Sequence, residues 1–229
     1  MLSSSSLLPL LSLSSESNIS DVNNLDNVHS IDLSYNKNIN DVNTLRFVHY
    51  IDLSYCTSLT DASIVELGNG NVKTLILSGN DYYNMNIKDC SSLGTIQYLD
   101  LSGCFNIDDV SALGRCHTLI LSGCDRITDV SMLGAVYNLD LSGCTEISDV
   151  SQLGNCSILN LSKCQKIVDI SSLKNVHNLN ISRCCKITDV SGLKNIKVLN
   201  IKRCNKIKNL HCLKHVETII GTTKIRKET

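Results

Sequence analysis

The chain has 229 residues, 42 % hydrophobic and 4 % aromatic, with one Pro, no Trp and 12 Cys. Its formal net charge of −1 gives no overall pull toward nucleic acid or an acidic membrane, and no apolar run approaches the ~20 residues that span a bilayer. The mean hides a strong polarity, because residues 1–158 hold 6 Lys+Arg against 18 Asp+Glu while residues 159–229 hold 15 against 4.

The opening stretch MLSSSSLLPLLSLSSES has an apolar run from Leu7 to Leu13. It lacks a preceding basic residue and a small-residue cleavage site, so it is not read as a secretory leader. Leu11 and Leu13 instead begin a repeat. Units start at Leu11, Ile31, Ile51 and Leu75, then at Leu99, Leu119, Leu139, Leu159, Leu179 and Leu199 with a constant step of 20; the Ile51 and Leu75 units have 24 residues. The middle units read L-x-L-S-G-C-x-x-I-x-D-V-S-x-L-G-x-C-x-x. Positions 1 and 3 have the spacing of a strand with one buried face. Positions 9, 12, 15 and 18 recur every third residue, which suits short 3₁₀ turns. One such unit buries only a rim of side chains and must stack on its neighbours, so the repeat predicts a solenoid. The expected organisation is a lead-in over 1–10, a solenoid of ten units over 11–218 and a basic tail over 219–229, in which Ile219 starts another unit that breaks at Gly221. Ten coils at the usual strand spacing give a rod of about 50 Å.

The stretches CHTLILSGC (116–124) and VYNLDLSGC (136–144) match the L-x-x-L-x-L-x-x-N/C core of the leucine-rich repeat, with Cys or Val at the first apolar site. The continuations CDRITDV (124–130) and CCKITDV (184–190) resemble its cysteine-containing subclass, although the units here are shorter and leave little room for a convex helix. Over roughly nine-tenths of the chain, the resemblance implies an α/β-class right-handed solenoid or horseshoe. It implies a parallel β-sheet on the concave face, a convex side of 3₁₀ turns and coil with little α-helix, and a concave sheet that usually binds protein. Such uniform arrays are also similar to those encoded by large DNA viruses, which implies an infected cell as one setting.

Seven cysteines share position 6: Cys56, Cys104, Cys124, Cys144, Cys164, Cys184 and Cys204, with Asn36 and Asn80 as equivalents. A small side chain with weak hydrogen-bonding ability suits the inward turn after a strand. There is no C-x-x-C pair, so no zinc site is read, and one uniform column in place of pairs argues against a disulfide framework; no cofactor or metal is expected. Reduced thiols imply a cytoplasmic or other intracellular setting. The Asp column at position 11, Asp21 to Asp189, is read as a turn-starting element, and His29, His49, His117 and His177 at position 19 as scaffold. No catalytic motif stands outside the repeat, so the chain is not expected to be an enzyme.

Function then falls to the residues that the core leaves free. At position 2, Asp32 and Asp52 stack like charges on neighbouring strands, a placement from which folding gains nothing and which invites a basic partner. Asp100 continues the column. Tyr35 and Tyr55 at position 5, Tyr50 and Tyr98 at position 20, and Tyr82 and Tyr83 on the inserted DYYNMN stretch add interface-type aromatic area. The expected function is therefore a non-catalytic protein-interaction scaffold with a protein partner. The alternative is a polyanion-binding module, for nucleic acid or an acidic membrane surface, through Lys163, Arg183, Lys202 and Arg203. The acidic front and basic back also allow self-association, docking head to tail.

Overall fold

A computed structural model describes residues 10–14, 18–79 and 86–221. Eleven short parallel strands lie side by side in chain order: β1 (Leu11–Ser12), β2 (Ser30–Asp32), β3 (Tyr50–Asp52), β4 (Thr74–Ile76), β5 (Tyr98–Asp100), β6 (Thr118–Ile120), β7 (Asn138–Asp140), β8 (Ile158–Asn160), β9 (Asn178–Asn180), β10 (Val198–Asn200) and β11 (Thr218–Ile220). Every pair keeps the repeat register, as Leu119↔Leu139 and Leu139↔Leu159 do, so equivalent residues form straight columns. Ile219 of the eleventh strand pairs with Leu199, which carries the sheet one strand past the tenth unit.

The columns explain the core. Leu139 and Leu141 at positions 1 and 3 are fully buried, and so are Cys144, Ile147, Leu153 and Cys156 farther round the coil. Each apolar rim is covered by the rims above and below it. The spacing of three predicted 3₁₀ turns, and they form at Asn43–Phe47, Leu67–Asn69, Ser91–Leu93, Ser111–Arg115, Ser131–Leu133, Ser151–Asn155 and Leu210–Leu213. The single α-helical turn among the described residues, α1 (Asp61–Ile64), occupies the longer Ile51 unit, where Thr60 and Ser63 make a reciprocal capping box.

In the coils that begin at Leu159 and Leu179, the 3₁₀ turn gives way to plain turns. Position 16 changes in step, although Arg46 at that position of the Ile31 coil also sits within a 3₁₀ turn. In the coils before them it is Gly114, Gly134 and Gly154, where an added Cβ would lie 2.2–2.4 Å from a carbonyl oxygen of the next coil. Those turns are therefore pressed together at a distance that only glycine allows. Lys174 and Lys194 hold the same place in the two relaxed coils. Lys214, with no following coil among the described residues, again closes a 3₁₀ turn at Leu210–Leu213.

The Asp column caps these turns. Asp109, Asp129, Asp149, Asp169 and Asp189 each accept a hydrogen bond at 2.8–2.9 Å from the N–H two residues on, at Ser111, Ser131, Ser151, Ser171 and Ser191. These bonds hold the carboxyl groups of Asp109, Asp129, Asp169 and Asp189 below their ordinary pKa. The grooves on this side are lined by the same Asp–Ser pairs, whose Oδ1 atoms the turns already engage.

Candidate protein-binding face and its margin

The position-6 thiols form the ladder that their spacing suggested. Each donates to the position-3 carbonyl of the preceding coil: Cys124 to Leu101, Cys144 to Leu121, Cys164 to Leu141 and Cys184 to Leu161, at 2.9–3.3 Å. Asn36 does the same at the front, donating through Nδ2 to Leu13 (2.8 Å) and Leu33 (2.9 Å) while Oδ1 accepts from the Ile19 N–H. Burial pushes the thiol pKa values up, to about 12 for Cys56, Cys144 and Cys184. Ten of the cysteines are buried, Cys212 is half-buried and Cys185 is exposed. A thiol reagent at pH 8 should therefore label Cys185 rapidly in the native protein, Cys212 more slowly, and the others only on unfolding. Mass mapping of the labelled peptides checks this, and early labelling of Cys144 would contradict it.

Position 2 has a structural duty that the sequence did not disclose. Oδ1 of Asp32, Asp52, Asp100 and Asp140 accepts the N–H of Ser34, Ser54, Ser102 and Ser142 at 2.7–2.9 Å, turning the chain out of the strand. The expectation that folding gains nothing from Asp32 and Asp52 is therefore corrected. The turn needs an acceptor, however, and not a charge. Asn160, Asn180 and Asn200 supply the same bond through a neutral amide at 3.0–3.1 Å. Their equivalence leaves the negative charge of the front residues unexplained by folding. Ser34 and Ser54 are buried, and Ser54 donates to Asp52 and accepts from Ser78.

The turn delivers position 5 into the left-handed backbone region. Gly103, Gly123 and Gly143 take φ of 68–78°, as the geometry favours. Tyr35 (65°), Tyr55 (62°), Lys163 (68°), Arg183 (65°) and Arg203 (65°) take it too, at a cost of about 1–2 kcal/mol per residue. All stand on one line, the margin where strands leave the sheet, and the N–H of each position-5 residue from Tyr35 to Arg183 donates to the next coil's position-4 carbonyl. Sequence reasoning missed the strain. Its signal was the glycine of L-S-G-C, which shows what backbone the column requires in the coils where Tyr, Lys or Arg replaces it.

The margin is aromatic and acidic at one end and basic at the other. Tyr35 and Tyr55 stack with ring centroids 4.5 Å apart and planes 18° apart, and Tyr35 remains 47 % exposed. Asp32 and Asp52 are register partners on β2 and β3. Tyr50 shares β3, half-buried, and burial together with the Asp52 and Asp32 carboxylates raises its phenol pKa. Thr74 stands between Tyr50 and Tyr98, and Ile76 between Asp52 and Asp100, so the second pair lies two strands from the first. Burial, aided by Asp100, raises the Tyr98 phenol as well. Tyr82 and Tyr83 lie outside the described residues. At the other end Lys163, Arg183, Lys202 and Arg203 are all exposed. Among the described residues no group of His, Cys, Asp and Glu is arranged to hold a metal ion, and no helix is long and apolar enough to cross a membrane.

No family model matches the chain, and no curated protein sequence matches it. Solved structures do. An internalin (InlF) from Listeria monocytogenes superimposes with a TM-score of 0.57 at 19 % identity, covering 86 % of this chain and 68 % of that one. The leucine-rich-repeat protein LegL7 from Legionella pneumophila gives 0.49 at 17 % identity over 92 % and 89 % of the two chains. The functional domain of InlJ from L. monocytogenes, which includes a cysteine ladder, gives 0.46 at 17 % identity over 93 % and 54 %. The fold is a leucine-rich-repeat solenoid: eleven parallel strands in register, 3₁₀ turns on the opposite side, and a buried ladder of thiols between them.

Proposed function

We propose that this chain is a non-catalytic protein-interaction scaffold that binds a protein partner at the front of its sheet, over Asp32, Tyr35, Tyr50, Asp52 and Tyr55, with Tyr98 and Asp100 at the far side. The observation that carries this reading is the left-handed backbone at Tyr35 and Tyr55, a conformation that Gly103, Gly123 and Gly143 take at the same position. Strained conformations persist where they serve a function. Two stacked phenols, Tyr35 exposed and Tyr55 half-buried, beside two carboxylates suit a basic or amphipathic protein surface. The thiol ladder suits a reducing, intracellular compartment.

The left-handed turn also supplies an unusually clean test. Tyr35→Gly/Tyr55→Gly removes both rings and relieves backbone strain. The lost stacking, about 0.5–1.5 kcal/mol, offsets that relief, so stability should stay within roughly 1 kcal/mol of wild type. Pull-down from cytosolic lysate at moderate salt should retain a protein on wild type and lose it on the glycine variant. Equal retention by both would overturn the reading. Retention of nucleic acid or acidic lipid alone, released by salt and by substitution of Lys163, Arg183 and Arg203, would move the binding site to the basic end.

A further inference from the structure

The position-5 margin carries a pattern that neither end shows alone. From the Ile31 coil to the Leu199 coil it reads Tyr35, Tyr55, Gly79, Gly103, Gly123, Gly143, Lys163, Arg183, Arg203. Reversed end for end, the aromatic pair falls opposite the guanidinium pair, and glycines fall opposite glycines in the middle. Position 2 runs from Asp32 and Asp52 in the front, through Asp100 and Asp140 on either side of the middle, to neutral Asn160, Asn180 and Asn200 in the back. The neighbouring turn adds Lys166, Lys186 and Lys206 to the basic end, with Lys166 tied to Glu146. Lys37 is the one cation on the front coils' margin among the described residues, and it does not outweigh the two carboxylates.

We propose that the partner of the front margin is a second copy of this chain, docked antiparallel along the position-5 line; this rests on the front being a protein-binding surface. A two-fold axis near Gly123 places the Tyr35/Tyr55 stack of each copy against Arg183 and Arg203 of the other. Guanidinium groups on phenol faces and beside carboxylates combine cation–π and ionic attraction. The central glycines keep the middle of the margin low, with the Phe105 ring reaching it 3.9 Å from where a Gly123 Cβ would stand, and the constant register keeps both columns at one pitch, so the two ends match together. A parallel arrangement would set arginine on arginine. A head-to-tail arrangement would satisfy one end of each copy and leave the other open, so it would grow without closing.

Sedimentation velocity over a range of protein concentrations tests the proposal. At low salt, wild type should reach twice the 25.1 kDa chain mass and stop there, and salt should dissociate it. Arg183→Glu/Arg203→Glu should weaken the dimer at least tenfold, and so should Asp32→Lys/Asp52→Lys. An equimolar mixture of the two variants should recover the dimer mass, because each then offers the charge the other needs. That recovery also shows both variants to be folded. Asp32→Asn/Asp52→Asn keeps the turn acceptors and should weaken association as well. A wild type that stays monomeric at low salt, a mixture that stays monomeric, or a mass that keeps rising with concentration would each overturn the antiparallel dimer. A monomeric wild type whose capture of another protein still depends on Tyr35 and Tyr55 would overturn the second copy alone and leave the scaffold reading standing.

Discussion

Gly134→Val should destabilise the protein by about 3 kcal/mol, at the upper end of what overpacking costs, although Gly134 is neither in the sheet nor in the apolar core. Its backbone is ordinary right-handed helical, so valine meets no conformational objection there. The obstacle is the next coil. A Cβ at this site would lie 2.3 Å from the Gln152 carbonyl oxygen and 3.4 Å from the carbonyl carbon, and the γ-methyls of valine reach farther still. Backbone cannot rotate out of the way as a side chain can, so the turn beginning at Ser151 must move outward by about 1 Å, loosening the burial of Leu133 and Leu153. Thermal unfolding should shift down by roughly 6–12 °C for a chain of this size. Lys174→Gly is the matched control. The equivalent site in a relaxed coil already holds a side chain, so its change should stay within about 1 kcal/mol. Equal stability of Gly134→Val and wild type would mean that the turn spacing is not what selects glycine.

Asn36→Ala should cost about 2–3 kcal/mol, because it leaves the Ile19 N–H without its acceptor and takes a donor from the Leu13 and Leu33 carbonyls. Asn36→Cys should recover part of that. A thiol there can donate to Leu13, which stands in the preceding coil where Leu121 stands for Cys144. It cannot replace the acceptor that Ile19 uses, so about 1 kcal/mol should remain lost. The order wild type, Cys, Ala in denaturant midpoint supports the view that Asn36 and the thiols are one structural element in two chemical forms. A cysteine variant no better than alanine would separate them.

The sequence carried the fold in full view, because periodicity reports what a column of residues shares. Ten aligned leucines or isoleucines at position 1 leave little choice but a stacked parallel sheet, and the spacing of three on the other side leaves little choice but tight turns. What it hid were the properties of position 5 and position 16, which depend on how one coil meets the next. A tyrosine at position 5 looks like any surface tyrosine until its φ of 62–65° is known. Asp52 looks like an uncompensated charge until Ser54 is found donating to it twice. In both columns the exchange of residues between coils was the readable trace: Gly against Tyr or Arg, and Asp against Asn. An exchange shows which half of a side chain's chemistry the scaffold requires, and so which half is surplus to it.

The unbroken register has a consequence at the level of length. Because equivalent residues of successive coils are interchangeable in their neighbours, excising one whole unit, such as residues 119–138, brings Leu139 onto Leu99 with the same buried partners. The chain behaves as a ruler graduated in steps of about 4.8 Å. Gain or loss of a unit by unequal recombination would change the separation between its aromatic and basic ends while leaving both ends chemically unaltered.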